Sequence, residues 1–281
     1  MGRVSFAGDC HHIRQLSRHF LFCSDTYNEI WLKIQSNLAF LPSQEAQRPM
    51  DVTPDMLGKF PLLKPLSPAT LERLASVSVA ERFSRRAVVL DSKLSERTVC
   101  FLFEGRLQGV DFTVDGKEVG LYFIEQGDYC GEVALFDEQD NPELIIALAP
   151  SLVIKVPNSE LQQVMLGNAS VMNSLGYKLA ARIRQFTSQR ALLAVSSIPQ
   201  RVCCQLWFLL RDSESSTARR EICNPPTHLE IANMLNTSRE TVTRVFQTLQ
   251  NRQIVKRNGP SSLLILNPML LQRLAEGDES L

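Results

Sequence analysis

Two helix-start signatures lie ten residues apart near the end of the chain, in the stretch THLEIANMLNTSRETVTRVFQTLQ. In each, a threonine is followed three residues later by a glutamate: Thr227 by Glu230, and Thr237 by Glu240. This capping box satisfies amide groups at a helix start, so helices are expected to begin at both threonines. The first must end within about two turns, at Asn236, because asparagine tolerates the left-handed backbone of a tight turn. The spacing therefore predicts a helix-turn-helix unit.

The second helix of this unit is predicted to have one apolar and one charged face. Apolar residues recur at i, i+3, i+4 and i+7, which is typical of a helix packed on a core: Val242, Val245, Phe246 and Leu249. The outward face then carries Arg239, Glu240, Thr243, Arg244 and Gln247. Arginine can donate two bonds to guanine and glutamate can accept one from cytosine, so this face suits reading bases. An ordinary solvated helix face is the alternative.

Positive charge is concentrated in the same part of the chain. The whole sequence is neutral, but residues 201–275 hold ten Lys and Arg against five Asp and Glu, a net charge of +5. Lys256 and Arg257 precede Asn258-Gly259, a turn between two apolar runs, so a hairpin wing could carry both cations to a phosphate backbone. The asymmetry favours a polyanion partner for this quarter of the chain.

The middle of the chain is patterned as short strands. The stretch VDFTVDGKEVGLYFI alternates between apolar and polar residues, and Asp115-Gly116 predicts a two-residue hairpin turn, which requires positive φ. A short helical pattern with Leu71, Leu74 and Ala75 on one face precedes these strands, and more strands follow through ELIIALAPSLVIKV. The pattern predicts a small antiparallel barrel or sandwich.

After Pro157 the apolar period becomes that of a helix. Residues spaced by three or four form a nearly apolar stripe through about three heptads: Val171, Leu175, Leu179, Ile183, Phe186, Arg190 and Leu193. Such a stripe must be covered, either by the barrel or by a second copy of the chain. The helix is expected to end before Ile198-Pro199.

Together these motifs resemble the Crp-Fnr family of bacterial regulators. SRETVTR at 238–244 looks like the family's recognition helix, and IEQGDYCGEVALF at 124–136 is similar to its nucleotide-binding turn. RQFTSQ at 184–189 is similar to part of its dimer helix, and the resemblance covers roughly residues 57–275. It implies an α+β fold with an N-terminal cyclic-nucleotide-binding-like antiparallel β-roll, a long dimerisation helix and a C-terminal winged helix-turn-helix.

The resemblance also implies a domain plan and partners. The segments are an N-terminal extension of uncertain structure at 1–56, the β-roll sensor at 57–165, the dimerisation helix at 166–196 and the DNA-binding domain at 197–281. A homodimer is expected to bind a TGTGA-like palindrome in double-stranded DNA, and RNA polymerase is an expected partner. The implied base readers are Arg239, Glu240, Thr243 and Arg244, and the implied backbone contacts are Thr227, Ser238, Lys256 and Arg257.

The nucleotide-binding motif departs from the family pattern at one place. In members that bind cyclic AMP, Gly-Glu is followed about ten residues later by Arg-Ser, and this arginine pairs with the cyclic phosphate. The chain keeps Gly131 and Glu132, and Thr187-Ser188 resembles the adenine-contacting pair, but Pro142-Glu143 stands where Arg-Ser would be.

The effector pocket is therefore expected to repel anions. Between Glu118 and Ile154 the chain has eight Asp and Glu and no Lys or Arg, and a buried phosphate without a compensating charge costs several kcal/mol. This favours a regulator that works without cyclic AMP. The alternative is activation by cyclic AMP, with a basic residue entering from the long helix: Arg182, Arg184 or Arg190.

Other functional classes find little support in the sequence. No nucleophile with a base, paired catalytic carboxylates or phosphate-binding glycine loop indicates an enzyme, and no cofactor is expected. No apolar run reaches the roughly 18 residues of a membrane span, and seven cysteines without a CxxC pair favour reduced thiols in the cytoplasm. A zinc or haem sensor is a further alternative, carried by Cys10, His11, His12, His19 and Cys23, although their spacing is not that of usual metal sites.

Overall fold

The fold is given by a computed structural model that describes residues 50–91, 97–137, 139–213, 220–259 and 261–281. The expectations for residues 1–49, including the Cys10–Cys23 group, lie outside the described residues. In the first half the elements are β1 Met50–Asp51, α1 Pro54–Leu57, α2 Pro68–Val77, β2 Val79–Phe83, β3 Val88–Leu90, β4 Thr98–Glu104, β5 Leu107–Phe112, β6 Glu118–Ile124, β7 Tyr129–Cys130, α3 Ala134–Asp137, β8 Leu144–Ala147 and β9 Ser151–Pro157. They are followed by α4 Asn158–Gly167, α5 Ala169–Ala194, α6 Ile198–Ser213, β10 Glu221–Cys223, α7 His228–Met234, α8 Arg239–Asn251, β11 Val255–Arg257, β12 Ser262–Ile265 and α9 Pro268–Glu276.

Two antiparallel sheets form the first half. One has the order β1-β2-β9-β4-β7 and the other β3-β8-β5-β6. The central strand β4 is apolar on both faces because it serves two cores: Val99 and Phe101 face the helices, whereas Cys100 and Leu102 face the second sheet. Successive side chains of a strand point to opposite faces, so a nearly continuous apolar run is what a doubly buried strand requires.

The loop between β5 and β6 differs from the predicted two-residue turn. The amide of Gly116 donates to the carbonyl of Thr113 over 2.8 Å, and the amide of Thr113 donates to Lys117 over 2.9 Å. The central pair is therefore Val114-Asp115, with Gly116 following at φ +80°. A glycine in this left-handed position after a turn closes a three-residue hairpin loop. The hairpin prediction was right, and the predicted turn residues were wrong by one position.

The long helix α5 follows α4 and ends, as expected, before Ile198-Pro199. Its first two stripe residues, Val171 and Leu175, are fully buried in the core that the five-stranded sheet shares with α2 and α4. Farther along, Ile183 is 66% exposed and Phe186 is 40% exposed. The sheet thus covers only the beginning of the stripe.

The C-terminal part builds a separate core around α6. Cys203 and Leu206 of α6 pack in one cluster with the apolar face of α8 and with the three-stranded sheet β10-β12-β11. Cys203 is 1% exposed and behaves as a small core residue. No helix among the described residues is both long and apolar enough to cross a membrane.

The two predicted helix caps have different outcomes. At α7 the capping box is present: Thr227 Oγ1 accepts from the amide of Glu230 over 3.2 Å, and Glu230 accepts from the amide of Thr227 over 2.9 Å. At α8 the predicted cap Thr237 is wrong, because the cap is Ser238, whose Oγ accepts from the amide of Thr241 over 3.1 Å. The amide of Thr237 donates to the carbonyl of Ala232, so it is used by the turn that precedes α8.

Gly105 provides a test of the packing between strands. Its φ is +99°, and a Cβ there would lie 2.6 Å from the carbonyl oxygen of Pro150 and 2.7 Å from Cα of Ser151. Gly127 has a similar φ of +87°, but open space surrounds it. Gly127→Ala should lower the free energy of unfolding by about 1–2 kcal/mol for backbone strain, and Gly105→Ala by a further ~1–3 kcal/mol for the clash. Urea denaturation would measure both, and equal losses would contradict this packing.

The cap of α8 can be tested with adjacent alanine substitutions. Ser238→Ala removes the hydroxyl that accepts from Thr241 and should cost about 1 kcal/mol of unfolding free energy. Thr237→Ala leaves that hydrogen bond in place and should cost clearly less. If Thr237→Ala lost more unfolding free energy than Ser238→Ala in urea denaturation, Thr237 would be the cap, as the sequence pattern predicts.

Candidate nucleic-acid interface and effector pocket

The helix-turn-helix unit consists of α7, a tight turn and α8. Asn236 adopts φ +49°, the left-handed conformation expected of it. The side chain of His228 joins the two helices, since its Nδ1 lies 3.0 Å from Oγ1 of Thr243 and its ring centroid lies 4.5 Å from that of Phe246. The Thr243 hydroxyl also lies 2.9 Å from the carbonyl oxygen of Arg239, so it connects the His228 ring to the backbone of α8.

The two faces of α8 divide as its sequence period predicts. The apolar residues Val242, Val245, Phe246 and Leu249 are all buried, with at most 5% exposure. On the outer face Thr243 is half-buried, and the fully exposed residues are Arg239, Glu240, Arg244 and Gln247. The packed face fixes the rotation of the helix about its axis, so the direction in which these polar side chains project is also fixed.

Glu240 is held in its charged form. Hydrogen bonds from its own backbone amide and from the Ser238 hydroxyl lower the pKa of Glu240, and the positive charges of Arg239 and Arg244 lower it further. At neutral pH this carboxylate can only accept hydrogen bonds, as an interaction with the amino group of cytosine requires.

The basic wing lies near the start of α8. Lys256 and Arg257 are exposed in β11, which pairs with β12 beyond the turn at Gly259. Burial lowers the pKa of His228, and the nearby charges of Arg257 and Arg239 lower it further. Arg257 of the wing and Arg239 of α8 therefore both lie near the His228 ring.

The effector motif forms a buried turn after β7. Gly131 adopts φ +86°, and a Cβ there would lie 2.8 Å from the carbonyl oxygen of Thr98, so glycine is needed. The next residue, Glu132, is only 2% exposed. Its Oε1 lies 3.7 Å from Nε of Arg182, a residue of α5. One of the three arginines considered from the sequence thus enters the pocket.

Glu143, at the position of the family's Arg-Ser pair, is also buried, with 7% exposure. Burial raises the pKa of its carboxyl group, and the hydroxyl of Tyr122 donates a hydrogen bond to its Oε1. Burial and the Glu143 charge raise the pKa of Tyr122 well above its usual value, so the tyrosine stays neutral. The pocket therefore contains two buried carboxyl groups, Glu132 and Glu143, beside a single guanidinium group.

The predicted adenine-contacting pair lies on α5. Thr187 and Ser188 are exposed on α5, and the Thr187 hydroxyl donates to the carbonyl of Ile183 over 2.8 Å. Sequence reasoning missed Tyr122 and His228. For Tyr122 a signal existed: it shares the period-two face of β6 with Ile124, which marks it as inward-facing.

Comparison with known proteins agrees with this architecture. Residues 80–168 match the family model of the cyclic nucleotide-binding domain, and residues 200–274 match that of the Crp-like helix-turn-helix domain. The cAMP-activated global transcriptional regulator CRP of Pasteurella multocida (strain Pm70) is 26% identical over 191 residues, which are 68% of this chain and 91% of that protein.

Two solved structures share the fold. FixK2 from Bradyrhizobium japonicum is 19% identical with a TM-score of 0.61, covering 70% of this chain and 97% of its own. A CooA mutant from Carboxydothermus hydrogenoformans is 18% identical with a TM-score of 0.63, covering 83% of this chain and 98% of its own. The predicted α+β fold, a β-roll, a long helix and a C-terminal helix-turn-helix, is confirmed. The chain belongs to the Crp-Fnr family of DNA-binding transcription regulators.

Proposed function

We propose that this regulator binds a TGTGA-like palindrome in double-stranded DNA as a homodimer and does so without cyclic AMP. The observation that carries the proposal is the outer face of α8, where two exposed guanidinium groups flank a charged carboxylate on a helix fixed by its buried face. Arg239 and Arg244 would each bind the O6 and N7 of a guanine, and Glu240 would accept from the N4 of a cytosine.

Thr243 has a different role from the charged readers in this proposal. Its hydroxyl bonds within the unit, to the carbonyl of Arg239 and to His228, so its methyl group is the part that would meet the DNA. A threonine methyl can contact the methyl group of thymine. Thr243 thus reads a thymine by apolar contact.

The grip on the DNA backbone would come from the residues around α8. Lys256 and Arg257 would place positive charge against phosphates from the wing, since neutralised phosphates release counterions and strengthen binding. Ser238, exposed at the start of the 13-residue helix α8, lies where the helix dipole favours a phosphate. Thr227, exposed at the start of α7, would add a contact from the neighbouring helix.

The homodimer is supported by the uncovered part of α5. Ile183 is 66% exposed, Phe186 is 40% exposed, and Tyr177 nearby is 76% exposed. A second copy of α5 would cover these side chains in the manner of a coiled coil. The symmetry of such a dimer would present two α8 helices to half-sites about one DNA turn, ~34 Å, apart. RNA polymerase is the further partner expected of a transcription regulator.

Independence from cyclic AMP is supported by the charge of the pocket. The relative from Pasteurella multocida is named as cAMP-activated, but this chain has Pro142 and the buried Glu143 where Arg-Ser would meet the phosphate. Nε of Arg182 lies 3.7 Å from Oε1 of Glu132, so part of the positive charge in the pocket already faces a carboxyl group. A phosphate entering there would meet the carboxyl groups of Glu132 and Glu143 as well as Arg182, which is unfavourable in a site of low dielectric constant.

The base readers are tested by alanine substitution. Arg239→Ala and Arg244→Ala should each weaken binding to a palindromic TGTGA duplex by about 1–3 kcal/mol, with little effect on an unrelated duplex. Lys256→Ala should weaken binding to both duplexes alike and lower the slope of log affinity against log salt by about one. Fluorescence anisotropy at several salt concentrations would measure both effects.

A matched control for these variants is Arg273→Ala, which removes an exposed arginine of α9 that pairs with Glu279 over 3.0 Å. It should leave both affinities unchanged. A duplex with a single half-site should bind more weakly than the palindrome if the protein acts as a dimer. Unchanged binding of the Arg239 and Arg244 variants to the TGTGA duplex would refute the assignment of base readers.

The role of cyclic AMP is tested with the same palindrome. We expect the wild-type protein to bind it with the same affinity with and without cyclic AMP, because two buried carboxyl groups in the pocket would repel the phosphate. Calorimetry should detect no saturable binding of cyclic AMP or cyclic GMP in the micromolar range. DNA binding that requires cyclic AMP would overturn this part of the proposal and make the protein a cAMP-activated regulator.

A further inference from the structure

The side chain of Tyr122 fills the inside of the β-roll next to the effector turn. It is 2% exposed, and its ring lies against Gly109 of β5. A Cβ on Gly109 would lie 2.9 Å from Cζ of Tyr122, closer than packed atoms tolerate. The absence of a side chain at position 109 therefore makes the space that the ring occupies.

Residues of α5 hold this ring from the helix side. The guanidinium carbon of Arg182 lies 3.2 Å from the centroid of the Tyr122 ring, which is a close cation–π contact. One turn later the Phe186 ring meets the Tyr122 ring edge to face, with centroids 6.0 Å apart. On the sheet side the Tyr122 hydroxyl donates to Glu143. The ring thus links the β-roll to the long helix.

The positive charge of Arg182 lies next to the buried carboxyl group of Glu132. The Arg182 side chain is 12% exposed and its Nε lies 3.7 Å from Oε1 of Glu132, whose side chain is 3% exposed. Buried carboxyl groups are stable only where a cation or hydrogen-bond donors compensate them. Arg182 supplies positive charge to Glu132, and Tyr122 supplies a hydrogen bond to Glu143. The two carboxyl groups are thereby compensated by the protein's own side chains.

We propose that Tyr122 and Arg182 form an internal plug that takes the place of an effector, excludes nucleotides from the pocket and holds α5 against the β-roll. The proposal deepens the proposed cAMP-independent function and rests on it. The charge of Glu143 explains why a phosphate is repelled. The plug explains how α5 can be fixed, and the DNA-binding part positioned, without a ligand.

The plug is tested by Tyr122→Ala and Arg182→Gln in the full-length protein without added nucleotide. Each should speed hydrogen exchange at the amides of residues 179–190 and weaken binding to the TGTGA palindrome by roughly tenfold, a usual size for coupling between distant sites. Tyr122→Phe keeps the ring contacts with Arg182 and Phe186 and should retain most of the wild-type affinity. This variant separates the effect of the ring contacts on DNA affinity from the effect of the hydroxyl group.

The matched control is Arg73→Gln, which removes an arginine that pairs with Glu160 over 2.6 Å on the outside of the same half of the molecule. It should change neither exchange in α5 nor DNA binding. If Tyr122→Ala does not fold, as judged by thermal unfolding, Arg182→Gln and Tyr122→Phe still provide the comparison.

Failure of the plug and failure of the proposed cAMP-independent function would give different results. Wild-type exchange in α5 and wild-type DNA affinity in the Arg182→Gln variant would overturn the plug while leaving cAMP-independent binding intact. Wild-type protein that binds DNA only when cyclic AMP is added would overturn the proposed function. The exchange measurement on protein without DNA would then still report whether Tyr122 and Arg182 hold α5.

Discussion

The rest of the structure depends on a five-stranded sheet that is buried on both faces. One face of β4 and β9 packs against the second sheet, and the other packs against α2, α4 and the beginning of α5. Val171 and Leu175 are fully buried in this second core, so the first turns of α5 are fixed by apolar packing. Because a helix is stiff, this anchor also sets where Arg182 and Phe186 lie, about two and three turns after Leu175.

The features that follow local rules were predictable from the sequence, and those that depend on distant residues were not. The cap at Thr227, the left-handed Asn236 and the buried face of α8 each follow from residues within one or two turns. The cap at Ser238 was missed by one residue because the preceding turn uses the amide of Thr237, a contact that the capping-box pattern does not contain. Tyr122 was missed because its partners Glu143 and Arg182 are 21 and 60 positions away in the sequence.

The pocket illustrates how one substitution in a family motif changes what its neighbours must do. A carboxyl group at position 143 needs a hydrogen-bond donor once it is buried, and Tyr122 provides one. With Glu132 buried nearby, a positive charge is also needed, and Arg182 from α5 provides it. An anionic ligand in this pocket would require a buried cation. In this chain the protein's own carboxyl groups impose that requirement instead of the ligand.

Strand β6 connects this pocket to the DNA-binding part. Tyr122, Gly120 and Glu118 share one face of the strand because side chains repeat every two residues. Glu118 accepts from Nδ2 of Asn233 in α7 over 3.1 Å and pairs with Arg86 of the β-roll. A Cβ on Gly120 would lie 3.1 Å from Cγ of Met234, so glycine lets α7 approach the strand closely. Strand β6 therefore carries the aromatic ring that fills the pocket and also packs against α7, so one strand contacts both the pocket and the helix-turn-helix unit.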